Sequence, residues 1–311
     1  MDALRRRLEG RRGATLDVVG IGECSLDEVW ILPGPLPDGG KVRATGRELL
    51  GGGQVATALV ACSRLGLRAA FAGAVGDDEV GKTVLAGLSD EGVEVTSARI
   101  VAGGATRSAL VLVDQTDGGR TVVEHLDRRV AVPHGELPLE LIGRASVLHL
   151  DATNVGTSLA AARLARERGV VVSLDVDHLA PGLDELLSLA DVCITSESLP
   201  AELTGAADLE GALRKLATMT GAFVCCTLGA RGAAALDGGH LLLSPAFATD
   251  VIDTTACGDT FRAAAICALL DARPIGDILR FANAAAALKC RALGRRGCPR
   301  KPEVDALLAR A

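Results

Sequence analysis

Asp253-Thr254-Thr255-Ala256-Cys257-Gly258-Asp259-Thr260-Phe261 is the stretch on which the reading of this chain turns. Before it, residues 246–252 read as a short extended segment. After it, residues 261–270 form an almost wholly apolar run with the composition of a buried helix. The small residues between them predict consecutive backbone N–H groups gathered at a helix N-terminus. Such an end carries unpaired donors and a partial positive charge, so it suits a phosphate or a developing anion. Asp259 stands where that helix begins. A carboxylate facing an anion site has a use in taking the proton from a hydroxyl that attacks a phosphoryl group. The same nine residues also fit an ordinary Asp N-cap after a glycine-bearing turn, and alone they leave the two readings evenly matched.

Outward from this stretch, short apolar runs alternate with helical patterns. Strands are predicted at 17–21, 69–75, 146–150, 170–175, 191–195 and 223–227. Helices are predicted at 54–65, 82–89, 158–168, 183–189, 209–220 and 277–289, and residues 233–243 read as a β excursion. Alternation over this length implies a mostly parallel sheet covered by helices on both faces. Residues 108–113 and 120–124 break the pattern. Both are β-rich, and Asp114-Gln115-Thr116-Asp117-Gly118-Gly119 between them has the composition of a hairpin turn, which predicts a separate small sheet. Residues 34–40 are rich in Pro and Gly and interrupt regular structure. Gly51-Gly52-Gly53 opens the first helix and Gly66 closes it. Asp27 follows the first strand, near the mouth where such sheets place ligands.

Gly76-Asp77-Asp78-Glu79-Val80-Gly81-Lys82-Thr83 satisfies the G-x4-G-K-[ST] pattern of a P-loop, and residues 147–151 would pose as its partner strand. The electrostatics oppose that reading. Three consecutive carboxylates would sit in a cradle meant for phosphates, each repelling one by about 1–4 kcal/mol at contact distances.

Composition narrows the function classes. The 311 residues are 49% hydrophobic, enough for a sizeable core. Net charge is −6, there is no Tyr, and Trp30 stands alone with five Phe, so a base-stacking nucleic-acid surface is not expected. No apolar run reaches the length of a membrane span. Nine Cys without a CxxC pair read as reduced thiols of a cytoplasmic protein, with Cys225 and Cys226 in a buried strand. Residues 1–13 hold five Arg with no apolar run after them, which reads as a frayed basic tail and not a signal peptide. His149 and His178 lack metal-ligand spacing and read as structural.

The 253–261 stretch resembles the Asp-Thr-x-Gly-Ala-Gly-Asp signature of the ribokinase-like (phosphofructokinase-B) carbohydrate kinases. Asp253, Thr254, Gly258 and Asp259 match; Ala256 stands where Gly is usual and Cys257 where Ala is usual. An Ala penalises any positive φ that Gly would allow. The resemblance implies Asp259 as catalytic base and the backbone of Ala256, Cys257 and Gly258 as the anion hole. Gly76, Asp77, Asp78 and Gly81 match the family's Gly-Asp-Asp-x-x-Gly turn. Gly52 and Gly53, with the run ending Arg64-Leu65-Gly66, look like its first signature at the sugar site, Thr57 standing where Asn is usual. Asp27 matches the family's substrate Asp. Lys41 and Arg107 are further candidates on the substrate side.

Thr227-Leu228-Gly229-Ala230-Arg231-Gly232 is similar to the family's nucleotide-site turn. This implies Thr227, Gly229 and Gly232 around ATP, together with Thr254 and Asn283. Ser196-Glu197 corresponds to an Asn-x-x-Glu segment that helps place Mg2+ and phosphates. Ser196 replaces the Asn and Leu199 takes the Glu position, which leaves Glu197 as the candidate metal ligand. Residues 287–299, with Leu288-Lys289-Cys290 and Gly297-Cys298-Pro299, resemble the family's C-terminal end. Within the family the pattern is most similar to the sulfofructose and fructose kinase-type branch.

The implied fold is α/β, a ribokinase-like three-layer α/β/α sandwich with a mostly parallel central sheet and a small β-sheet lid. The α/β domain would comprise residues 14–27, 46–97 and 126–311, the lid 28–45 and 98–125, with 1–13 a disordered basic tail. The implied activity is transfer of the γ-phosphoryl of Mg-ATP to a primary hydroxyl of a small ketose-type sugar, such as fructose, sulfofructose, ribose or a sugar acid. The cofactors would be ATP and Mg2+, with a monovalent cation such as K+ as a further candidate. Partners would be the sugar and a second copy of the chain through the lid, with no nucleic acid and no membrane. Two alternatives stand beside it: a nucleoside or vitamin kinase of the same fold, and a sugar-binding regulator whose anion hole has decayed at Ala256, Cys257, Ser196 and Leu199.

Overall fold

The apolar runs assemble as parallel strands. The computed structural model describes residues 1–116 and 119–310. Its first strands are Leu16–Ile21 (β1), Ser25–Leu32 (β2), Gly46–Gly52 (β3), Ala69–Phe71 (β4), Ala74–Gly76 (β5), Arg99–Val101 (β6), Ser108–Asp114 (β7) and Arg120–His125 (β8). The later ones are Ala145–Asp151 (β9), Val171–Val176 (β10), Val192–Thr195 (β11), Phe223–Thr227 (β12), Ala233–Asp237 (β13) and His240–Ser244 (β14). Eight of them form one sheet in the order β14-β13-β12-β11-β10-β9-β1-β4, parallel from β12 to β4 and antiparallel at the β13–β14 edge. Strands β9, β10 and β11 are buried along their whole length, as parallel strands covered on both faces must be.

Alternate side chains along these strands feed two helix layers. Val147, Val171 and Val192 pack with Gln54–Arg64 and Cys257–Leu270 on one face; Leu148, Val172 and Cys193 pack with Val155–Glu167 and Leu209–Thr220 on the other. The helices are Asp2–Glu9 (α1), Gln54–Arg64 (α2), Glu79–Asp90 (α3), Leu139–Gly143 (α4), Val155–Glu167 (α5) and Leu183–Ser188 (α6). They continue with Leu199–Thr204 (α7), Leu209–Thr220 (α8), Cys257–Leu270 (α9), Ile275–Lys289 (α10) and Lys301–Arg310 (α11). Helix α9 is buried on nearly every side, which its Ala-rich sequence permits because small side chains let α2 and α10 approach.

A second, four-stranded sheet runs β3-β2-β7-β8, with β2 and β7 parallel and the outer pairs antiparallel. This is the small sheet expected as a lid, and its limits differ from those expected. Residues 25–27 and 46–52 belong to it, because β3 returns antiparallel along β2 from Ile31↔Gly46 to Ser25↔Gly52. Asp27 is therefore a lid-strand residue. Residues 99–101 pair instead with β5 in a two-stranded ribbon. The predicted turn between β7 and β8 falls partly on Asp117 and Gly118, which lie outside the described residues.

Three further expectations are corrected. Residues 1–13 are not a disordered tail: α1 buries Leu4, Arg7 pairs with Asp191, and Arg11 donates to the Ala145 carbonyl at 3.0 Å, so the arginines bind the amino-terminal edge of the sheet. Residues 246–252 form no strand, and the 69–75 strand splits, β4 joining the main sheet and β5 the ribbon. At the P-loop look-alike, Asp78 caps α3. Its carboxylate accepts from the Gly81 N–H at 2.8 Å and the Thr106 N–H at 2.9 Å, so it occupies the place a phosphate would need.

Candidate active site

The parallel strands end at a cleft of about 590 Å³ whose walls include Glu23, Thr153, Asp177, Ser196 and Thr227. The inner face of the lid closes the other side with Asp27, Val29, Val111 and Val122. Between the two lies the 253–259 loop. Asp253 organises it: one carboxylate oxygen accepts from the Thr255 N–H at 2.8 Å, the other from the Gly294 N–H at 2.7 Å. Burial pushes this carboxyl's pKa up, but the Lys289 charge and these N–H donors outweigh it and hold it below the ordinary carboxylate value.

Ala256 has φ 67° and ψ 1°, the left-handed conformation that Gly takes without penalty. The turn it makes leaves the N–H groups of Ala256, Gly258 and Asp259 without an acceptor among the described residues, whereas the Cys257 N–H donates to the Thr254 carbonyl at 3.3 Å. The amides free to meet an anion are thus those of Ala256, Gly258 and Asp259, and not that of Cys257 as expected. Cys257 contributes packing, its sulfur 3.1 Å from that of Cys290. Arg120 reaches down from β8 and donates to the Thr255 hydroxyl at 3.2 Å, bringing a lid cation to the same loop.

Asp259 opens α9 and lines the cleft. Burial lifts its carboxyl to about 7; Arg262 opposes the rise, Asp177 adds to it, and Arg120 and Asp151 act in smaller measure. Arg262 was not among the residues expected here. Its guanidinium pairs with Asp175 at 2.7 Å, the two side chains being 6% and 0% exposed, and it lies close enough to Gly258 that a Cβ there would collide with it. An arginine inside the apolar 261–270 run was the signal. Burying a lone charge is so unfavourable that it must meet an opposite one.

On the expected substrate side, the structure brings together Asp27, Gly52, Gly53, Thr57 and Arg107. Asp27 accepts from the Ser25 hydroxyl at 2.8 Å, and burial raises its pKa against the pull of that bond, Arg107 and Arg295. Gly52 is required by contact, since a Cβ would collide with the Asp27 carboxylate. Arg107 pairs with Glu23 at 2.8 Å and with Glu124 of β8, while burial pushes the Glu23 carboxyl up to about 8 against that pairing. Gln54 and Arg295 complete this side; Gln54 donates to Asp177 at 2.6 Å. Lys41 does not join them and is exposed in the segment between β2 and β3.

On the expected nucleotide side, Ser196, Thr227 and Thr254 line the cleft. Gly229 and Gly232 shape the turn after β12, which packs against the end of β14 so closely that a Cβ on Gly232 would meet the Ser244 carbonyl. Asn283 is buried and donates to the Ser244 carbonyl at 2.9 Å and the Pro245 carbonyl at 3.2 Å, so it braces this edge and is not among the residues lining the cleft. Glu197 pairs with Arg231 at the surface and stays outside the cleft. No three His, Cys, Asp or Glu side chains cluster as a metal site among the described residues. Asp177, Ser196 and Thr227 present oxygen donors along the cleft, which fits Mg2+ when phosphate oxygens and water supply the rest of its shell. No helix among the described residues is long and apolar enough to cross a membrane.

Known proteins share this arrangement. The model of the pfkB family carbohydrate kinases matches residues 16–302. Ribokinase of Haemophilus influenzae is 30% identical over 278 residues, 86% of this chain and 90% of its own. The ATP-dependent ribose-1-phosphate kinase of Halopiger xanaduensis is 32% identical over 262 residues, 83% and 86% of the two chains. The structure of Arabidopsis thaliana ribokinase complexed with ribose and ATP superposes with a TM-score of 0.81 at 26% identity, covering 94% of this chain and 98% of that one. A match over nearly the whole length makes this chain a member of the pfkB family of carbohydrate kinases.

Proposed function

We propose that this sugar kinase transfers the γ-phosphoryl group of Mg-ATP to a primary hydroxyl of a small ketose-type sugar, in the class of fructose, sulfofructose, ribose and sugar acids. One observation carries the reading: a carboxyl lifted to about 7 at the head of α9, beside three amides that lack acceptors. A base works best when its pKa lies near the working pH. Asp259 takes the proton of the sugar hydroxyl as that oxygen bonds to the γ-phosphorus and ADP departs. The Ala256, Gly258 and Asp259 N–H groups hold the charge on the transferring group. Asp27 orients the sugar by accepting from its hydroxyls, with Thr57 and Arg107 beside it. The apolar inner face of the lid keeps out water that would otherwise compete for the phosphoryl group.

ADP release measured against ketohexoses, pentoses, sulfonated sugars, sugar phosphates, nucleosides and vitamin alcohols tests this. Sugar phosphates belong in the panel because one relative is named for acting on one. Preferred turnover of a ketose-type sugar is expected. A nucleoside or vitamin preferred over every sugar would overturn the substrate class. Sugar binding by calorimetry with no ADP release would overturn the activity.

A further inference from the structure

Directly behind the anion hole, a lysine side chain is wholly buried. Lys289 ends α10, and its Nζ donates to the Asp253 carbonyl at 2.8 Å, the Ala292 carbonyl at 3.2 Å and the Asp253 carboxylate at 3.3 Å. Two carbonyls and a carboxylate around one cation is the donor set that a monovalent ion such as K+ takes from a protein. The groups around Nζ also tie down the loop. Asp253 fixes the Thr255 N–H, one residue before the left-handed Ala256, and the Ile252 and Asp253 N–H groups both donate to the Cys290 carbonyl next to Lys289.

We propose that Lys289 is a tethered monovalent cation for this loop, and that the enzyme therefore neither needs nor responds to added K+. The inference rests on the kinase reading above. A free cation does not fit behind the loop, because the oxygens that would hold it already surround Nζ and a second positive charge there would be repelled. Lys289 reaches no substrate. It is a positioning residue acting through Asp253, which holds the Thr255 N–H next to the turn that presents the amides of Ala256, Gly258 and Asp259.

The test compares wild type and Lys289→Ala in buffers whose only cation is tetramethylammonium, with K+ or ammonium then added. In wild type, turnover is expected to change by less than the roughly fivefold of a coupled effector, and Tm is expected not to move. In Lys289→Ala, kcat is expected to fall about 100-fold, the scale of losing one anion-hole donor. It should recover at least tenfold, saturably, with K+ or ammonium. Tm of the variant should rise with K+ concentration, as it does when a ligand binds only the folded state. Activation of wild type by fivefold or more, a K+-dependent Tm in wild type, or a folded variant that no small cation restores would each overturn the proposal. If Lys289→Ala does not fold, Lys289→Met keeps the volume without the charge, and the wild-type arms decide on their own. Absence of turnover by wild type on every acceptor would refute the kinase reading instead, with the Tm arms still deciding the role of Lys289.

Discussion

Replacing Asp259 with Asn separates the chemistry of the site from its energetics. The carboxyl sits at about 7 in the folded chain against an ordinary 3.8, chiefly because it is buried. A carboxyl with a higher pKa folded than unfolded binds its proton more tightly in the folded chain. Below about pH 4 both states hold the proton and the side chain costs nothing. As pH rises from about 4 to about 7 the unfolded carboxyl ionises first, so folding stability falls, and above about 7 the loss is complete. The difference between 3.8 and about 7 corresponds to at most about 4 kcal/mol, and solvent in the cleft screens it to about 1–2 kcal/mol.

The Asn variant escapes this penalty at every pH. It is therefore expected to be more stable than wild type by about 1–2 kcal/mol near pH 8 and nearly equal near pH 4. Urea unfolding of both proteins at the two pH values measures the difference, in which the other titrating groups cancel. The same variant is expected to lose about 10²–10⁴-fold in kcat, the share of a positioned base, while its ATP affinity holds. A stability gain that does not change with pH would show that burial is not what lifts Asp259. Turnover within a few-fold of wild type would show that Asp259 is not the base.

Two other substitutions probe the loop and the lid. Ala256→Gly removes a left-handed Ala that costs about 1–2 kcal/mol and returns part of that as Gly's added freedom in the unfolded chain. A net gain of about 0.5–1 kcal/mol, seen as a Tm rise of about 1–4 °C with kcat unchanged, is the expected outcome, and a lower Tm would refute it. Gly52→Ala drives a methyl into the Asp27 carboxylate, so the sugar KM should rise about tenfold or more while the ATP Kd holds; equal losses for both ligands would place Asp27 outside the sugar site.

The fold was legible because its strands are short, apolar on both faces and separated by helical patterns. Residues 146–150, 170–175 and 191–195 needed no long-range information to be read as buried parallel strands. The lid was harder. Gly46–Gly52 is polar and glycine-rich, and what makes it a strand is its pairing with β2, a contact no local pattern announces. The first helix was missed for a related reason. Its arginines looked like a solvated tail, and only the carbonyls at the amino-terminal edge of β9 and β10, supplied by distant segments, give them a place to dock.

In the site, what local spacing could reveal was the backbone work. Asp259 at a helix start follows from turn chemistry a few residues long, whereas Gly52 meets Asp27 only through the β2–β3 pairing. What it could not reveal was how buried charge closes on itself. Arg262 lies in an apolar helix, Asp175 in an apolar strand and Lys289 at the end of an Ala-rich helix; each alone would be too unfavourable to bury. Their positions follow from one requirement, that each charge buried in the floor of the cleft meet an opposite one. Asp175 answers Arg262, and Asp253 answers Lys289. Because Asp253 also holds the Thr255 amide, the second of these pairs sets the shape of the loop as well as its charge. That coupling explains how the turn tolerates Ala where Gly would be easier. The left-handed conformation at Ala256 is imposed by contacts fixed from α10 and the Gly294 turn, and the strain is met by the floor and not by the residue itself.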